Sequence, residues 1–182
     1  MTSSMLQYEI ISARRKGVSY LAAIELAAAR MLSGHAPESV LEETTSQQEL
    51  LEAQRQGHLW VALEHDRPVG FVHVKILEPE RVHLEEIDVH PEHGRRGIGA
   101  HLVKAVFRWA TANGYRWVRL TTFPEPAWNM PFYARLGFAE IPSDELTPAL
   151  IAIIEDETQR GLDPNRRVAM RFALTQPNPQ IT

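Results

Sequence analysis

The stretch that most restricts how this 182-residue chain can fold runs from Val82 to Ala110. It begins as a β-type run, Val82–Val89, closed by His90-Pro91. It then passes through Glu92-His93-Gly94-Arg95-Arg96-Gly97-Ile98-Gly99-Ala100 and continues as an amphipathic helix. On that helix Ile98, Leu102, Val106 and Ala110 share one face, and His101, Lys104, Arg108 and Thr111 take the opposite one. A strand led through glycines into a helix aims successive backbone N–H groups at one spot. The helix start adds unpaired donors and a partial positive charge. Gly97 and Gly99 keep side chains away from that spot, and Arg95 and Arg96 add two permanent charges beside it. The group expected there is a phosphate or pyrophosphate. Alone, the glycines equally suit a tight turn with solvated arginines. Two familiar nucleotide patterns are absent: there is no G-x-x-x-x-G-K-[ST], and G-x-G-x-x-G would need a glycine where Leu102 stands.

The remaining segments supply partners for this unit. Leu6–Ser12 reads as a first strand and Val18–Leu32 as an alanine-rich helix ending at Ser33-Gly34. Ser46-Gln47-Gln48-Glu49 has capping-box spacing, which predicts a helix to about Gln56, stopped by Gly57. Leu59–Glu64 and Val69–Leu77 are strands joined by His65-Asp66-Arg67-Pro68. In the second, Val72, Val74 and Ile76 alternate with Phe71, His73 and Lys75, so one face is expected to be buried more deeply. Trp117–Thr122, Phe138–Ile141 and Arg167–Leu174 complete the strands. Asn129–Leu136 is a short helix stopped by Gly137, and a longer one runs from Thr147-Pro148 to about Arg160, with Gly161 as its cap. Helices alternating with strands around one mixed sheet give an α/β (α+β) layer architecture. Residues 1–175 are expected to form one domain, and 176–182, with two prolines, a flexible tail.

Composition narrows the function classes. A formal charge of −4 argues against a general nucleic-acid binder. No apolar run approaches the roughly 20 residues that cross a bilayer, and the N-terminus lacks a signal-peptide core, so a cytoplasmic location without a membrane partner is expected. The chain has no cysteine, which excludes disulfides, a thiolate metal site and a cysteine nucleophile. Its eight histidines show no ligand spacing such as H-E-x-x-H, so no metal is expected.

Gly97-Ile98-Gly99-Ala100, preceded by Asp88-Val89-His90-Pro91, and the later Pro131-Phe132-Tyr133-Ala134-Arg135-Leu136-Gly137-Phe138 together resemble the GNAT superfamily of acyl-CoA-dependent N-acetyltransferases. The resemblance covers roughly Leu6–Leu174 and is strongest over Leu84–Phe138. It departs from the family's R/Q-x-x-G-x-G/A pattern at the first position, which is Gly94; Arg95 and Arg96 offer replacement charge. The resemblance implies a mostly antiparallel sheet of about seven strands. It also implies acetyl-CoA as co-substrate, with its pyrophosphate at Gly94, Arg95, Arg96, Gly97, Ile98, Gly99 and Ala100. The backbone at Ile87 and Val89 would hold the pantetheine arm. Family members are often dimers, though no feature of the sequence marks an interface.

Acetyl transfer to an amine needs a base for the ammonium and a proton for the departing thiolate. The resemblance places the base on Val82–Val89, where Glu85 is the first candidate and His83 the second. Strict alternation puts His83, Glu85, Ile87 and Val89 on one face and Leu84, Glu86 and Asp88 on the other. A β-bulge, common in this strand of the family, would bring Glu86 onto the working face. Tyr133 resembles the family tyrosine that protonates the thiolate. Asn129 is either a helix N-cap or a cofactor contact, and Trp128 and Phe123 either wall the acceptor pocket or belong to the core. The expected function is acetylation of a small-molecule primary amine by direct attack, because the Thr147–Arg160 helix adds a cover to the minimal family pattern. Acetylation of a protein or peptide, a non-catalytic acyl-CoA-binding regulatory module, and a nucleotide-binding module are the alternatives.

Overall fold

The computed structural model describes residues 8–175. Its centre is the unit with which the sequence began. Strand β4 (Arg81–Val89) leads through the glycine turn into α4 (Ile98–Ala112), and the chain returns as β5 (Trp117–Thr122), which pairs parallel to β4. A parallel return needs a crossover long enough to span the sheet, and α4 supplies it. Five further strands extend this pair: β1 (Glu9–Ser12), β2 (Leu59–Glu64), β3 (Arg67–Glu78), β6 (Ala139–Glu140) and β7 (Val168–Ala173). The order is β1-β2-β3-β4-β5-β7-β6, and every contact except β4–β5 is antiparallel. The expected mixed, mostly antiparallel sheet of seven strands is therefore present.

Helices cover both faces. Under α4, the residues Ile98, Leu102, Val106 and Ala110 are buried against Val72, Val74, Val82, Leu84, Val118 and Leu120. On the other face α1 (Leu21–Ala29) and α3 (Gln47–Gln56) bury Leu21, Ile24, Leu50 and Ala53 against Leu59, Val61 and Phe71. Strand β3 thus packs on both sides: Phe71, Val72, His73 and Val74 are all buried. The expectation of one deeper face fails because alternation reports a half-exposed strand, whereas β3 lies third in a sheet covered by helices on both sides.

Local signals hold where capping chemistry carries them. Ser46 Oγ accepts from the Glu49 N–H at 3.2 Å, and Gly57 ends α3 at φ +73°. Thr147 caps α6 (Pro148–Gln159) by accepting from the Leu150 N–H. The predicted Val18–Leu32 helix divides instead into a 3-10 turn over Arg15–Tyr20, α1 proper, and a second 3-10 turn over Arg30–Leu32. Gly17, Val18 and Ser19 are poor helix formers, so α geometry begins only with the Leu21-Ala22-Ala23 run. A one-turn helix, α2 (Glu38–Leu41), was not foreseen, and α5 (Met130–Arg135) is slightly shorter than expected. Leu6 and Gln7 of the predicted first strand, and the predicted tail 176–182, lie outside the described residues. Among the described residues, no helix is long and apolar enough to cross a membrane.

Candidate active site

Strands β4 and β5 stay paired only from Arg81↔Trp117 to His83↔Arg119. Beyond that point β4 follows β3 to Val89, while β5 follows β7 to Thr122. The two strands therefore separate, and among the described residues the backbone of β4 from Leu84 onward pairs with no strand on the β5 side. This gap opens toward the glycine turn and the N-terminus of α4. Sequence periodicity carries no signal for it, because separation depends on neighbours on both flanks.

The expected bulge lies in β4. His73 pairs with Glu86 and Val74 with Leu84, which leaves Glu85 as the extra residue. Strict alternation is thereby overturned. Leu84, Ile87 and Val89 pack toward α4, whereas His83, Glu85, Glu86 and Asp88 gather on the α1/α3 side.

These four side chains then differ by environment. Glu85 is held by Lys75 Nζ at 2.8 Å, and its other oxygen lies 3.5 Å from His83 Nε2. His83 is 3% exposed, its Nδ1 lacks a partner, and burial lowers its pKa to about 4. A neutral, buried imidazole is a poor proton acceptor from an ammonium. Glu86 is pushed up to about 7, first by burial and then by the charges of Glu25 and Glu85, although Asp88 and the Ile87 N–H hydrogen bond to it. Asp88 is raised by burial and by Glu86, and its Oδ2 is shielded from solvent without a hydrogen-bond partner. Each carboxyl thus disfavours ionisation of the other.

Tyr133, on α5, closes the other side of the gap. It is 7% exposed, and its ring packs edge-on against Phe132 and Phe138. Burial and the charges of Glu86 and Asp88 raise its pKa, and Arg167 opposes them. The phenol therefore keeps its proton at any physiological pH. Asn129 does not cap α5 with its side chain. Its Oδ1 instead accepts from Thr122 Oγ1 at 3.0 Å, and its Nδ2 is a buried donor without a partner. Phe123 is buried beneath the Arg167 guanidinium, while Trp128 is largely exposed.

The glycine turn is built for an anion through its backbone. Arg95 takes φ +57° and Gly97 φ +80°, and Gly97 precedes the first turn of α4 without side-chain capping. A Cβ on Gly99 would stand 3.4 Å from Phe132, so this helix start packs closely on α5. Tyr8 pins the turn: its hydroxyl donates to the Arg96 carbonyl at 3.2 Å and lies 2.6 Å from His101 Nδ1. The Arg96 side chain is drawn sideways to Glu64 at 2.6 Å and to His93 Nδ1 at 3.1 Å. The two arginines are thus unequal, since Arg96 braces the loop.

Ligand atoms of His90, Glu92 and His93 lie within 4.8 Å of one another. His93 Nδ1 is already 2.9 Å from Glu64 and faces the Arg96 guanidinium, whose charge opposes a cation there. A cleft of about 460 Å³ between α3 and the end of β3 is bordered by Glu49, His73 and Lys75. It includes none of the glycine turn, Glu86, Asp88 or Tyr133.

The chain matches the acetyltransferase (GNAT) family over residues 21–138 and belongs to it; it is an acyltransferase. Its fold is similar to that of PaiA N-acetyltransferase from Thermoplasma acidophilum in complex with coenzyme A, with TM-score 0.73, 17% identity, and coverage of 91% of this chain and 98% of that one. It is also similar to the ribosomal-protein-S18-alanine N-acetyltransferase of Escherichia coli, with TM-score 0.64, 14% identity, and coverage of 96% and 99%. N-acetylglutamate synthase of Neisseria gonorrhoeae, complexed with coenzyme A and N-acetyl-glutamate, has TM-score 0.70 and 15% identity, with 93% of this chain covered but 35% of that one.

Glu25 is an acidic neighbour of Glu86 and Asp88 that the sequence did not point to. It lies on α1, is 8% exposed, and its charge acts on both Glu86 and Asp88. A lone acid in an alanine-rich helix reads as a solvated position, and only the packing of α1 over β4 brings it inside.

Proposed function

We propose that the protein transfers an acetyl group from acetyl-CoA to a primary amine of a small molecule by direct attack. The observation that carries this reading is the half-buried Glu86–Asp88 pair, whose charges act on the buried Tyr133 across the gap between β4 and β5. Acetyl-CoA supplies the electrophilic thioester. The open backbone of β4 around Ile87 and Val89 suits the pantetheine arm, and the Asn129 Nδ2 atom is a buried donor in need of an acceptor. The turn Gly94–Ala100 suits the pyrophosphate, with Arg95 as its side-chain charge. Glu86 serves as the base: a carboxyl titrating near neutrality takes a proton from an ammonium far better than one fixed near its ordinary 4.5. This replaces Glu85, which Lys75 occupies, and His83, which burial holds neutral. Tyr133 returns a proton to the departing sulfur.

Contact between the segments around α2 and the end of α6 supports a small amine rather than an open peptide groove. Arg160 at the end of α6 pairs with Glu43 at 2.5 Å, and Arg166 lies 3.2 Å from His35. A Cβ on Gly161 would contact Pro37 at 3.7 Å, so residues 35–43 and 160–166 meet. The test is thiol release from acetyl-CoA against small amines, amino acids and peptides, with the product identified by mass. Tyr133→Phe should lower the rate at least tenfold; equal, near-background rates for both proteins with every amine would sink the reading. A greater rise in melting temperature with ATP than with coenzyme A would favour a nucleotide-binding module instead.

A further inference from the structure

We propose that a small oxyanion binds at the start of α6, in a cavity of about 110 Å³ walled by Arg81, Trp117, Arg119 and Arg171 of the sheet and by Thr147 and Leu150 of the helix. The cavity shares no side chain with the gap or the glycine turn. Strand register brings its three arginines together. Arg81 stands opposite Trp117, and Arg119, two residues further along β5, stands opposite Arg171 of β7. Residues two apart on a strand share a face. Like charges directly opposite each other in a ladder are destabilising, so Arg119 and Arg171 call for compensation. Two carboxylates supply part of it: Arg119 donates to Glu78, and Arg171 lies 2.6 Å from Glu145, with its guanidinium over the Trp117 ring. Arg81 forms no salt bridge among the described residues. Its charge acts on Arg119 and Glu78, so three cations face two carboxylates and the cavity wall keeps a positive excess.

Two further observations point to an anion. Arg119 is 3% exposed, with Nη1 donating to Thr147 Oγ1 at 2.9 Å and Nη2 to Glu78, yet its Nε is a buried donor without an acceptor. Burial lowers the pKa of this guanidinium even against the pull of Glu78. A buried charged donor in that state is normally completed by a bound partner. The Thr147 hydroxyl cannot complete it, being already engaged with Arg119 Nη1, Glu78 and the Leu150 N–H. The second observation is the helix. α6 has 12 residues, and its N-cap Thr147 and first-turn Leu150 border the cavity, so the positive end of the helix faces the arginines. The cavity is well below the roughly 300 Å³ at which pockets for larger ligands begin. Its occupant is therefore a single compact group, a phosphate, a sulfate or a free carboxylate. His83↔Arg119 is the last rung before β4 and β5 separate, so a bound anion would tie β4, β5, β7 and α6 together at the root of the gap.

The experiment measures binding of inorganic phosphate, sulfate and acetate by calorimetry and by tryptophan fluorescence, at constant ionic strength with chloride as the reference ion. In the wild type, the bound oxyanion should raise the melting temperature by mass action and change the fluorescence. Tighter binding of phosphate or sulfate assigns the cavity to a tetrahedral anion, and tighter binding of acetate assigns it to a carboxylate. Arg81→Gln should weaken binding by about ten- to a hundredfold, the loss of one charge-assisted contact, and leave coenzyme A affinity unchanged. Any anion held at the glycine turn contributes equally to both proteins and cancels in their comparison. Of the four tryptophans only Trp117 borders the cavity, so Trp117→Phe should abolish the fluorescence response. Equal affinity in wild type and folded Arg81→Gln, a response that survives Trp117→Phe, equal stabilisation by chloride, or no binding of any oxyanion to the wild type would overturn the proposal. A parallel loss of coenzyme A affinity in Arg81→Gln would do so too, by placing the anion at the glycine turn. The acetyl-transfer reading is untouched by each of these outcomes.

Discussion

Replacing Glu86 by Gln separates the cost of the buried carboxyl from its use. Glutamine keeps the shape and one acceptor but cannot ionise. Glu86 is displaced from its ordinary 4.5 to about 7, chiefly by burial. A carboxyl whose folded pKa is raised costs nothing while it is protonated in both states. Its stability contribution is therefore full below the unfolded pKa and is lost as pH rises through the folded one. At about 1.36 kcal/mol per pH unit of displacement, the penalty reaches ~3 kcal/mol at pH 8. Glu86→Gln should match the wild type in unfolding free energy near pH 4.5 and exceed it by up to ~3 kcal/mol at pH 8. That gap corresponds to a melting temperature several degrees higher. Its kcat/KM should nevertheless fall by roughly 10²–10⁴, the usual contribution of a positioned base. The wild-type kcat/KM should drop about tenfold per pH unit below pH 7 through loss of the ionised form. Urea unfolding at closely spaced pH values and thiol release over the same range provide both measurements. A stability gap that stays constant with pH, or a variant with undiminished rate, would refute the argument.

Other substitutions examine the frame around that carboxyl. Tyr133→Phe should lose more rate with acetyl-CoA than with an acetyl thioester of an acidic thiol, since the latter leaves without a proton; equal losses would assign Tyr133 to packing. Arg119→Met removes the buried partner of Glu78 and Thr147 and should destabilise by about 3 kcal/mol in urea unfolding, because Glu78 keeps only the Thr147 hydroxyl and the charge of Arg81. A Cβ at Gly70 would stand 2.8 Å from the Asp88 carbonyl oxygen and 3.2 Å from Val89. Gly70→Ala should cost about 1–3 kcal/mol and lower activity by shifting the end of β4. Gly97→Ala must hold an L-residue at φ +80°, at a cost of about 1–2 kcal/mol, and should weaken coenzyme A binding measured by calorimetry.

Much of the fold follows from local chemistry that the chain carries in order. Ser46 with Glu49, Thr147 with Pro148, and the glycines after the helices set element ends, because capping involves residues only three or four apart. The apolar face of α4 and the glycine turn before it were legible for the same reason, and so was the family. Placement on a face was not. Alternation divided His83 and Glu85 from Glu86 and Asp88, and one extra residue at Glu85 reunited them, since a bulge depends on register with β3 rather than on the spacing within β4.

The choice of base changed for a further reason. Glu85, Glu86 and His83 are all titratable candidates in the sequence, and only tertiary contacts make one ion-paired with Lys75, one a half-buried neighbour of another acid, and one neutral. Glu25 comes to act on Glu86 and Asp88 in the same way, carried over β4 by the packing of α1. The sequence alone determined which groups capable of acid–base and anion-binding chemistry the chain has, and the order in which its strands and helices occur. The tertiary structure decided which of those groups lose water and which acquire a counter-charge, because desolvation and pairing arise between residues far apart in the chain.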